Sequence, residues 1–285
     1  MCDQDHLHAM PRMNRRSFGA LAGMGALAAC TSMEGSGSAG GLTQSSVSFA
    51  ADGGTMDGVF IHPAEGRHPG VILWPDIAGL RPAKIEMGRR LAAEGYAVLV
   101  ANPYYRSVAG QQFADFDAWR DGGMQVTQPW RARNTPEAVT AAARRVVGWL
   151  DAQAAVDTAR GIGNQGYCMT GSWTILTAAA VPSRVKAAAS FHGGGLVGDG
   201  PMAPVNLLSR LAPDAQALIA IARDDDAQAP NDKVALRAAA EAAAADIAVE
   251  VYAGDHGWTV LDSPVYNAAE ANRAWTALLA LYAQL

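Results

Sequence analysis

The chain has 285 residues, half of them hydrophobic, so it is long enough to bury one large core. Its net charge of −5 and the lack of Lys/Arg clusters in its body argue against a nucleic acid partner. The three cysteines, Cys2, Cys30 and Cys168, are too few and too scattered for a disulfide framework or a zinc site, so no metal is expected.

Residues 1–30 have the features of a bacterial export signal. Arg15 and Arg16, followed by an aromatic residue, are typical of the Tat pathway, and translation starting at Met13 would place them close to the N-terminus. The apolar run 18–29 is too short to span a bilayer. It ends at Cys30 in a segment that resembles a lipobox. We therefore expect a periplasmic protein whose only membrane contact is a lipid on Cys30; the alternative is an ordinary signal peptide with an unrelated cysteine.

Residues 31–45 are rich in Ser and Gly and are predicted to form a flexible tether to a single folded domain, residues 46–285. In this domain short apolar runs alternate with helical patterns, which predicts an α/β fold with a mostly parallel, doubly wound sheet covered by helices on both faces. Predicted strands cover residues 47–49, 58–61, 71–74, 96–101, 162–165, 185–191, 217–222 and 248–252; predicted helices cover 81–94, 135–151, 171–180, 231–245 and 264–284. Residues 107–134 interrupt the alternation and are expected to be irregular structure near a pocket mouth.

The segment around Cys168 is similar to the G-x-S-x-G nucleophile elbow with cysteine in place of serine. Gly166 fits the first glycine position, where a Cβ would clash with neighbouring backbone. Thr170 stands where the motif has its second glycine, and Gly171 follows. A helix beginning here directs its positive N-terminal dipole at the sulfur, which favours a thiolate. The alternative is that Cys168 is a buried small residue between incidental glycines.

An α/β-hydrolase carries the acid and the histidine of its triad after the nucleophile, on loops at the carboxyl ends of strands. The predicted strand 217–222 is followed by three aspartates, of which Asp225 or Asp226 is the candidate acid. The predicted strand 248–252 is followed closely by His256, the candidate base.

Six short motifs in sequence order are together similar to those of the dienelactone hydrolase family, over residues 46–285. They are Pro75-Asp76-Ile77-Ala78-Gly79, Gly95-Tyr96-Ala97-Val98, Tyr105-Arg106, Gly166-Tyr167-Cys168-Met169, Phe191-His192-Gly193-Gly194 and Gly254-Asp255-His256-Gly257. The resemblance implies an α/β-hydrolase that uses Cys, Asp and His to hydrolyse a small ester or lactone without a cofactor.

Carried over by position, the resemblance implies Cys168 as the nucleophile, His256 as the base and Asp225, or alternatively Asp226, as the orienting acid. It places the oxyanion hole at the backbone N–H groups of Met169 and Ile77.

The resemblance also implies roles for three further residues. Asp76 matches an acidic residue, usually Glu, that contacts the thiol, but Asp is one methylene shorter. Arg106 matches an arginine that binds a substrate carboxylate; the alternative is a structural or surface residue. His192 is either a residue supporting the site or a buried structural histidine.

Two hypotheses of different classes remain at this point. The first is a thiol-dependent hydrolase of a small ester or lactone, and the second is a lipid-anchored, non-catalytic binding protein on a hydrolase fold. The intact order of cysteine, acid and histidine favours the hydrolase. A redox role for Cys168 is disfavoured because no resolving cysteine remains once Cys30 is lipidated.

Overall fold

A computed structural model describes residues 41–285. The predicted export signal, Cys30 and most of the predicted tether lie outside these residues. The first strand, β1, begins at Leu42, so the folded domain starts four residues before the predicted boundary at residue 46. Among the helices of residues 41–285, none is both long and apolar enough to cross a membrane.

Eight strands form one sheet, in the order β1-β2-β4-β3-β5-β6-β7-β8. The strands β1 and β2 form an antiparallel hairpin, β2 runs antiparallel to β4, and all the other neighbours are parallel. The strands are β1 Leu42–Ala51, β2 Gly54–Pro63, β3 Gly70–Trp74, β4 Ala97–Ala101, β5 Ile162–Tyr167, β6 Val185–Phe191, β7 Gln216–Ala222 and β8 Asp246–Tyr252. Every predicted strand is confirmed, and so is the predicted α/β fold with its mostly parallel sheet.

The helices are α1 Pro82–Ala93, α2 Phe116–Arg120, α3 Gly123–Arg131, α4 Pro136–Asp151, α5 Gly171–Ala180, α6 Pro204–Leu207, α7 Arg223–Gln228, α8 Asp232–Glu241 and α9 Ala268–Tyr282. Side-chain hydrogen bonds at the N-cap residue fix where α4 and α9 begin. The Thr135 hydroxyl accepts a hydrogen bond from the Ala138 N–H, and Asn267 caps α9 in the same way. The last helix therefore begins at Ala268 rather than at the predicted residue 264.

The prediction of irregular structure for residues 107–134 is wrong in part, because this segment contains α2 and α3. The Asp115 carboxylate accepts from the Ala118 N–H and so starts α2, but the helix is only five residues long. Helix α3 begins after Gly122, whose φ of 84° separates it from α2. Helices this short carry too few periodic apolar residues for sequence analysis to detect them.

The core lies on both faces of the sheet. Alternate residues of β3 show this arrangement: Ile72 and Trp74 pack on one face, together with α4, α5 and α8, whereas Val71 and Leu73 pack on the other, together with α1 and α9. A rigid sheet covered on both faces fixes the positions of the loops at the carboxyl ends of its strands, where the candidate site residues lie.

Candidate active site

Cys168 lies on a sharp turn between β5 and α5, with a φ of 54°. Such a backbone conformation is uncommon for a residue other than glycine and is typical of a strained functional turn. A Cβ on Gly166 would collide with the Thr170 carbonyl, and a Cβ on Gly171 would collide with the backbone of Gly193. The two glycines are thus required by close backbone approach, and Cys168 itself is a half-buried residue with a free thiol.

Thr170 fills the position at which the elbow motif has glycine. It is fully buried, and its hydroxyl accepts from the Tyr167 N–H at 3.0 Å while donating to the Trp74 carbonyl at 2.8 Å. The hydroxyl therefore ties the elbow to the end of β3. Sequence analysis noticed the departure from the motif but missed this role, which depends on a strand distant in sequence.

His256 and Asp225 are brought together from the loops after β8 and β7. The Nδ1 of His256 lies 2.7 Å from Oδ2 of Asp225. Asp226 instead forms an ion pair with Lys233 at 2.7 Å. Asp224, which sequence analysis did not assign, accepts a hydrogen bond from the backbone N–H of His256 at 2.8 Å. This bond holds the loop after β8 that carries His256, the histidine loop, against the start of α7.

The surroundings of His256 favour its protonated form. Burial by itself lowers its pKa, but hydrogen bonds to Asp225 and to Cys168, together with the negative charges of both groups, raise the pKa from 6.5 to about 10. His256 is therefore an imidazolium at neutral pH when Cys168 is a thiolate.

His192 is buried next to Cys168 and His256. Its Nδ1 accepts a hydrogen bond from the backbone N–H of Cys168 at 3.2 Å, and its Nε2 lies 3.1 Å from the hydroxyl of Thr259. Its ring packs edge-on against that of His256, with centroids 5.0 Å apart. Burial, and then the charge of His256, hold the pKa of His192 well below its usual range, so it is neutral.

Two backbone N–H groups are available near the sulfur. Ile77 lies in the turn after β3, and within residues 41–285 its N–H has no hydrogen-bond partner. Met169 is the second residue of the short 3-10 turn at Cys168–Thr170, a position whose N–H has no partner within its own helix. An anion formed beside Cys168 could therefore accept hydrogen bonds from both.

Asp76 belongs to a buried cluster of charges. Its carboxylate contacts Arg81 at 2.7 and 3.0 Å and Lys84 at 2.9 Å. Burial raises the pKa of Asp76, but the two cations outweigh burial and hold the pKa well below its ordinary value. In the described part of the chain, the carboxylate makes no hydrogen bond to Cys168, which agrees with the shorter side chain of Asp.

Arg106 lies beside the β1–β2 turn. Its Nε donates to the carbonyl of Asp52 at 3.1 Å, and a terminal nitrogen donates to the carbonyl of Ala138 at 2.6 Å. Its guanidinium also stacks on the ring of Tyr105, 4.5 Å from the centroid. None of these partners is a candidate catalytic residue, so these contacts fit the structural alternative.

A small apolar cluster packs against Cys168. Ile77, Ala78 and Trp119 form its buried part, and Phe113, Phe116, Met169 and Cys168 itself pack against them. Three of these side chains come from residues 107–134, which therefore do line the site. Within residues 41–285, no group of three or more His, Cys, Asp or Glu side chains is arranged to hold a metal ion.

Comparisons with known proteins show the family and the relatives of this chain. The sequence profile of the Dienelactone hydrolase family matches residues 56–285. A Salmonella typhi protein named "Putative carboxymethylenebutenolidase" is 28% identical over 254 residues, which cover 86% of this chain and 88% of that protein. An Escherichia coli K12 protein of the same name is 28% identical over 246 residues, covering 83% and 85%. A Klebsiella pneumoniae crystal structure, described as "Putative Dienelactone Hydrolase", is 26% identical with a TM-score of 0.63, covering 86% of this chain and 99% of that one.

Proposed function

Because this chain belongs to the dienelactone hydrolase family, we propose that it cleaves a small ester or lactone by a covalent mechanism at Cys168. Membership of the family makes the chain a hydrolase of ester or lactone bonds. The observation that supports the mechanism most strongly is that His256 has Asp225 at 2.7 Å on one side and Cys168 on the other.

The reaction begins when His256 holds the proton of Cys168 and the sulfur is a thiolate. The sulfur attacks the carbonyl carbon of the substrate, and the carbonyl π electrons move onto its oxygen. The N–H groups of Met169 and Ile77 stabilise this oxyanion. As the tetrahedral intermediate collapses, the bond to the leaving oxygen breaks, and Nε2 of His256 gives that oxygen its proton.

The acyl-enzyme is then hydrolysed. His256, now neutral, removes a proton from water as the water attacks the thioester carbonyl, and the carbon–sulfur bond breaks. The products are a carboxylic acid and the original thiolate–imidazolium pair. Asp225 accepts the Nδ1–H of His256 throughout, which keeps Nε2 directed at the reacting atoms.

The proposal is tested by measuring hydrolysis of short-chain aryl esters and dienelactones by the native chain and by Cys168→Ala. Alanine fits the elbow and removes only the sulfur, so the fold should remain and hydrolysis should be abolished. Wild-type turnover by Cys168→Ala on every accepted substrate, or no substrate accepted by the native chain, would contradict the proposal.

We also propose that the protein is exported by the Tat pathway and anchored to a bacterial membrane, in the periplasm, by a lipid on Cys30. Arg15, Arg16 and the lipobox-like segment ending at Cys30 support this location. The Ser/Gly-rich residues that follow would link the anchor to the folded hydrolase.

A further inference from the structure

A buried arginine connects two loops that carry groups of the proposed mechanism. Arg81 ends the loop of residues 75–81 after β3, called the oxyanion loop here because it contains Ile77. Asp262 belongs to the histidine loop. The Arg81 side chain is fully buried, and only 19% of the Asp262 side chain is exposed. Water therefore screens this ion pair little, and the pair joins segments 181 residues apart in the chain.

The guanidinium of Arg81 is bonded to both loops. Its Nε and one terminal nitrogen donate to the two carboxylate oxygens of Asp262, each at 2.8 Å. Its terminal nitrogens donate to the carboxylate of Asp76 at 2.7 and 3.0 Å, and one of them also donates to the Gly79 carbonyl at 3.2 Å. These bonds use every N–H that a planar guanidinium has. Because the plane is rigid, it fixes the distance and angle between the two loops.

On the oxyanion loop, the contact extends to the proposed oxyanion donor. The Oδ1 of Asp76 that accepts from Arg81 also accepts from the backbone N–H of Ala78 at 2.9 Å. A carboxylate that bonds the backbone two residues further on closes a turn around the residue between them, which is Ile77. The placement of the Ile77 N–H therefore depends on where Arg81 holds Asp76.

On the histidine loop, short backbone turns connect Asp262 to His256. Three backbone N–H groups each donate to the carbonyl three residues before them: Trp258 to Asp255 at 2.9 Å, Val260 to Gly257 at 3.1 Å and Ser263 to Val260 at 2.9 Å. Trp258 and Val260 are also buried, so this part of the loop is packed as well as bonded. A segment of this kind transmits the position of Asp262 to the rest of the loop.

The other contacts of His256 hold it in a different direction. Asp225 lies 2.7 Å from its Nδ1, and Asp224 accepts from its backbone N–H at 2.8 Å. Both aspartates belong to α7, so they fix His256 against that helix. The Arg81–Asp262 pair instead fixes the histidine loop against the oxyanion loop.

Asp262 also holds a third element at the site. Its Oδ2 accepts from the backbone N–H of Phe116, at the start of α2, at 3.0 Å. The Phe116 ring packs on Trp119, with centroids 5.0 Å apart, and Trp119 belongs to the apolar cluster that packs against Cys168. One carboxylate thus contacts the histidine loop's partner Arg81 and the first turn of α2 at once.

We propose that Asp262 is a positioning residue for the reaction at Cys168. Through Arg81 it holds the oxyanion loop at a fixed position relative to the histidine loop, so that the Ile77 N–H and His256 act on the same carbonyl group. This inference rests on the proposed function and adds to it a residue that does not itself touch the substrate.

The test compares two reactions of the purified full-length chain and of Asp262→Ala. Hydrolysis of para-nitrophenyl butanoate needs the oxyanion hole, whereas alkylation of Cys168 by iodoacetamide needs the thiolate and His256 but forms no oxyanion. We expect kcat for the ester to fall by about 10- to 100-fold with little change in KM, because a misplaced donor acts on the transition state. The alkylation rate should stay within about 3-fold of the native rate.

A native kcat in Asp262→Ala would overturn the inference. So would a loss of turnover matched by an equal loss of alkylation, because the damage would then lie at the thiolate and His256 rather than at the oxyanion loop.

Asp151 provides a matched control away from the site. Arg184 donates to Asp151 through Nε at 3.0 Å and a terminal nitrogen at 2.8 Å, which is the same two-bond geometry, between the end of α4 and the start of β6. Asp151→Ala should lower the melting temperature and leave kcat within about 2-fold of the native value. Equal losses of kcat in Asp151→Ala and Asp262→Ala would reduce the Arg81–Asp262 pair to a purely structural role.

Asp262→Asn keeps the test decisive if Asp262→Ala does not fold, which circular dichroism and thermal melting show. Asparagine retains an oxygen that can accept from Phe116 and from Nε of Arg81, but it loses the charge and the second bond to Arg81. Its kcat should lie between those of the native chain and Asp262→Ala, again with native alkylation. A folded Asp262→Asn with reduced alkylation and native kcat would contradict the proposal.

The inference and the proposed function fail in different ways. If Cys168→Ala is inactive and the Asp262 variants keep the native kcat, only the positioning role is wrong. If Cys168→Ala keeps full activity, or the native chain hydrolyses no ester, the proposed mechanism is wrong and the role of Asp262 in it falls too.

Discussion

The backbone N–H of Cys168 donates a hydrogen bond to Nδ1 of His192 at 3.2 Å. A backbone N–H can only donate, so Nδ1 of His192 carries no proton, and its proton is on Nε2, from which it is donated to the hydroxyl of Thr259. This tautomer links the elbow to the histidine loop through one neutral ring. It also satisfies the N–H of a residue whose backbone is in an unfavourable conformation.

His192→Ala is expected to leave the Cys168 N–H buried without a partner. The loss should cost about 1–3 kcal/mol of stability, and displacement of the sulfur should lower kcat by up to about 100-fold with little change in KM. His192→Asn is the matched control: its side-chain oxygen can replace Nδ1 as acceptor, and asparagine tolerates the φ of 39° at this position. Equal losses of kcat in both variants would contradict the positioning role.

Asp225→Asn and Asp226→Asn distinguish the two candidate acids. Loss of the carboxylate that lies 2.7 Å from His256 should lower kcat by about 10⁴-fold, by analogy with the serine triad. Asp226 pairs with Lys233, and its loss should change kcat little and stability by about 0–1 kcal/mol. The larger loss falling on Asp226→Asn instead would identify Asp226 as the orienting acid.

The pKa of His256 depends on its contacts with both Asp225 and Cys168. Because its folded-state pKa of about 10 is above the unfolded value, its stabilising contribution is fully present below about pH 6.5 and is lost as the pH rises through 10. NMR titration should place His256 near 10 in the native chain and lower in Cys168→Ala and in Asp225→Asn. His192 should stay neutral throughout and serves as the internal reference. A native His256 that titrates at or below 6.5 would contradict the proposed ion pair.

The export signal is tested by two substitutions. Replacing Arg15 and Arg16 together by lysine should leave the precursor in the cytoplasm if export depends on the Tat pathway. Cys30→Ser should abolish fatty-acid labelling and release the protein from membranes. Unchanged membrane association of Cys30→Ser would contradict the lipid anchor, while normal export of the double lysine variant would contradict the Tat pathway.

The sequence predictions succeeded where the pattern that supports them lies within one short segment of the chain. The eight strands were recognisable as apolar runs, and α4 was recognisable from Thr135, Pro136 and the acidic residue after them. The elbow was recognisable because backbone crowding at Gly166 and Gly171 constrains residue type directly. The same reasoning failed for α2 and α3, which are too short to show a helical period.

Contacts between side chains that are distant in sequence could not be predicted from such local patterns. Asp225 and Asp226 are adjacent and chemically identical, and only the crossing of the loops after β7 and β8 brings one of them to His256. Arg106 has the residue type for binding a carboxylate, yet the fold places carbonyls around it.

By itself, the sequence determined the α/β fold, the order of nucleophile, acid and histidine, and the strained turn at Cys168, because periodicity, motif order and steric crowding are properties of neighbouring residues. Only the tertiary structure decided that Asp225 contacts His256, that Arg81 is engaged by Asp76 and Asp262, and that an apolar cluster packs against Cys168. These are distances between segments up to 181 residues apart in the chain. Such distances depend on how the whole sheet and its loops pack, and no local pattern specifies them.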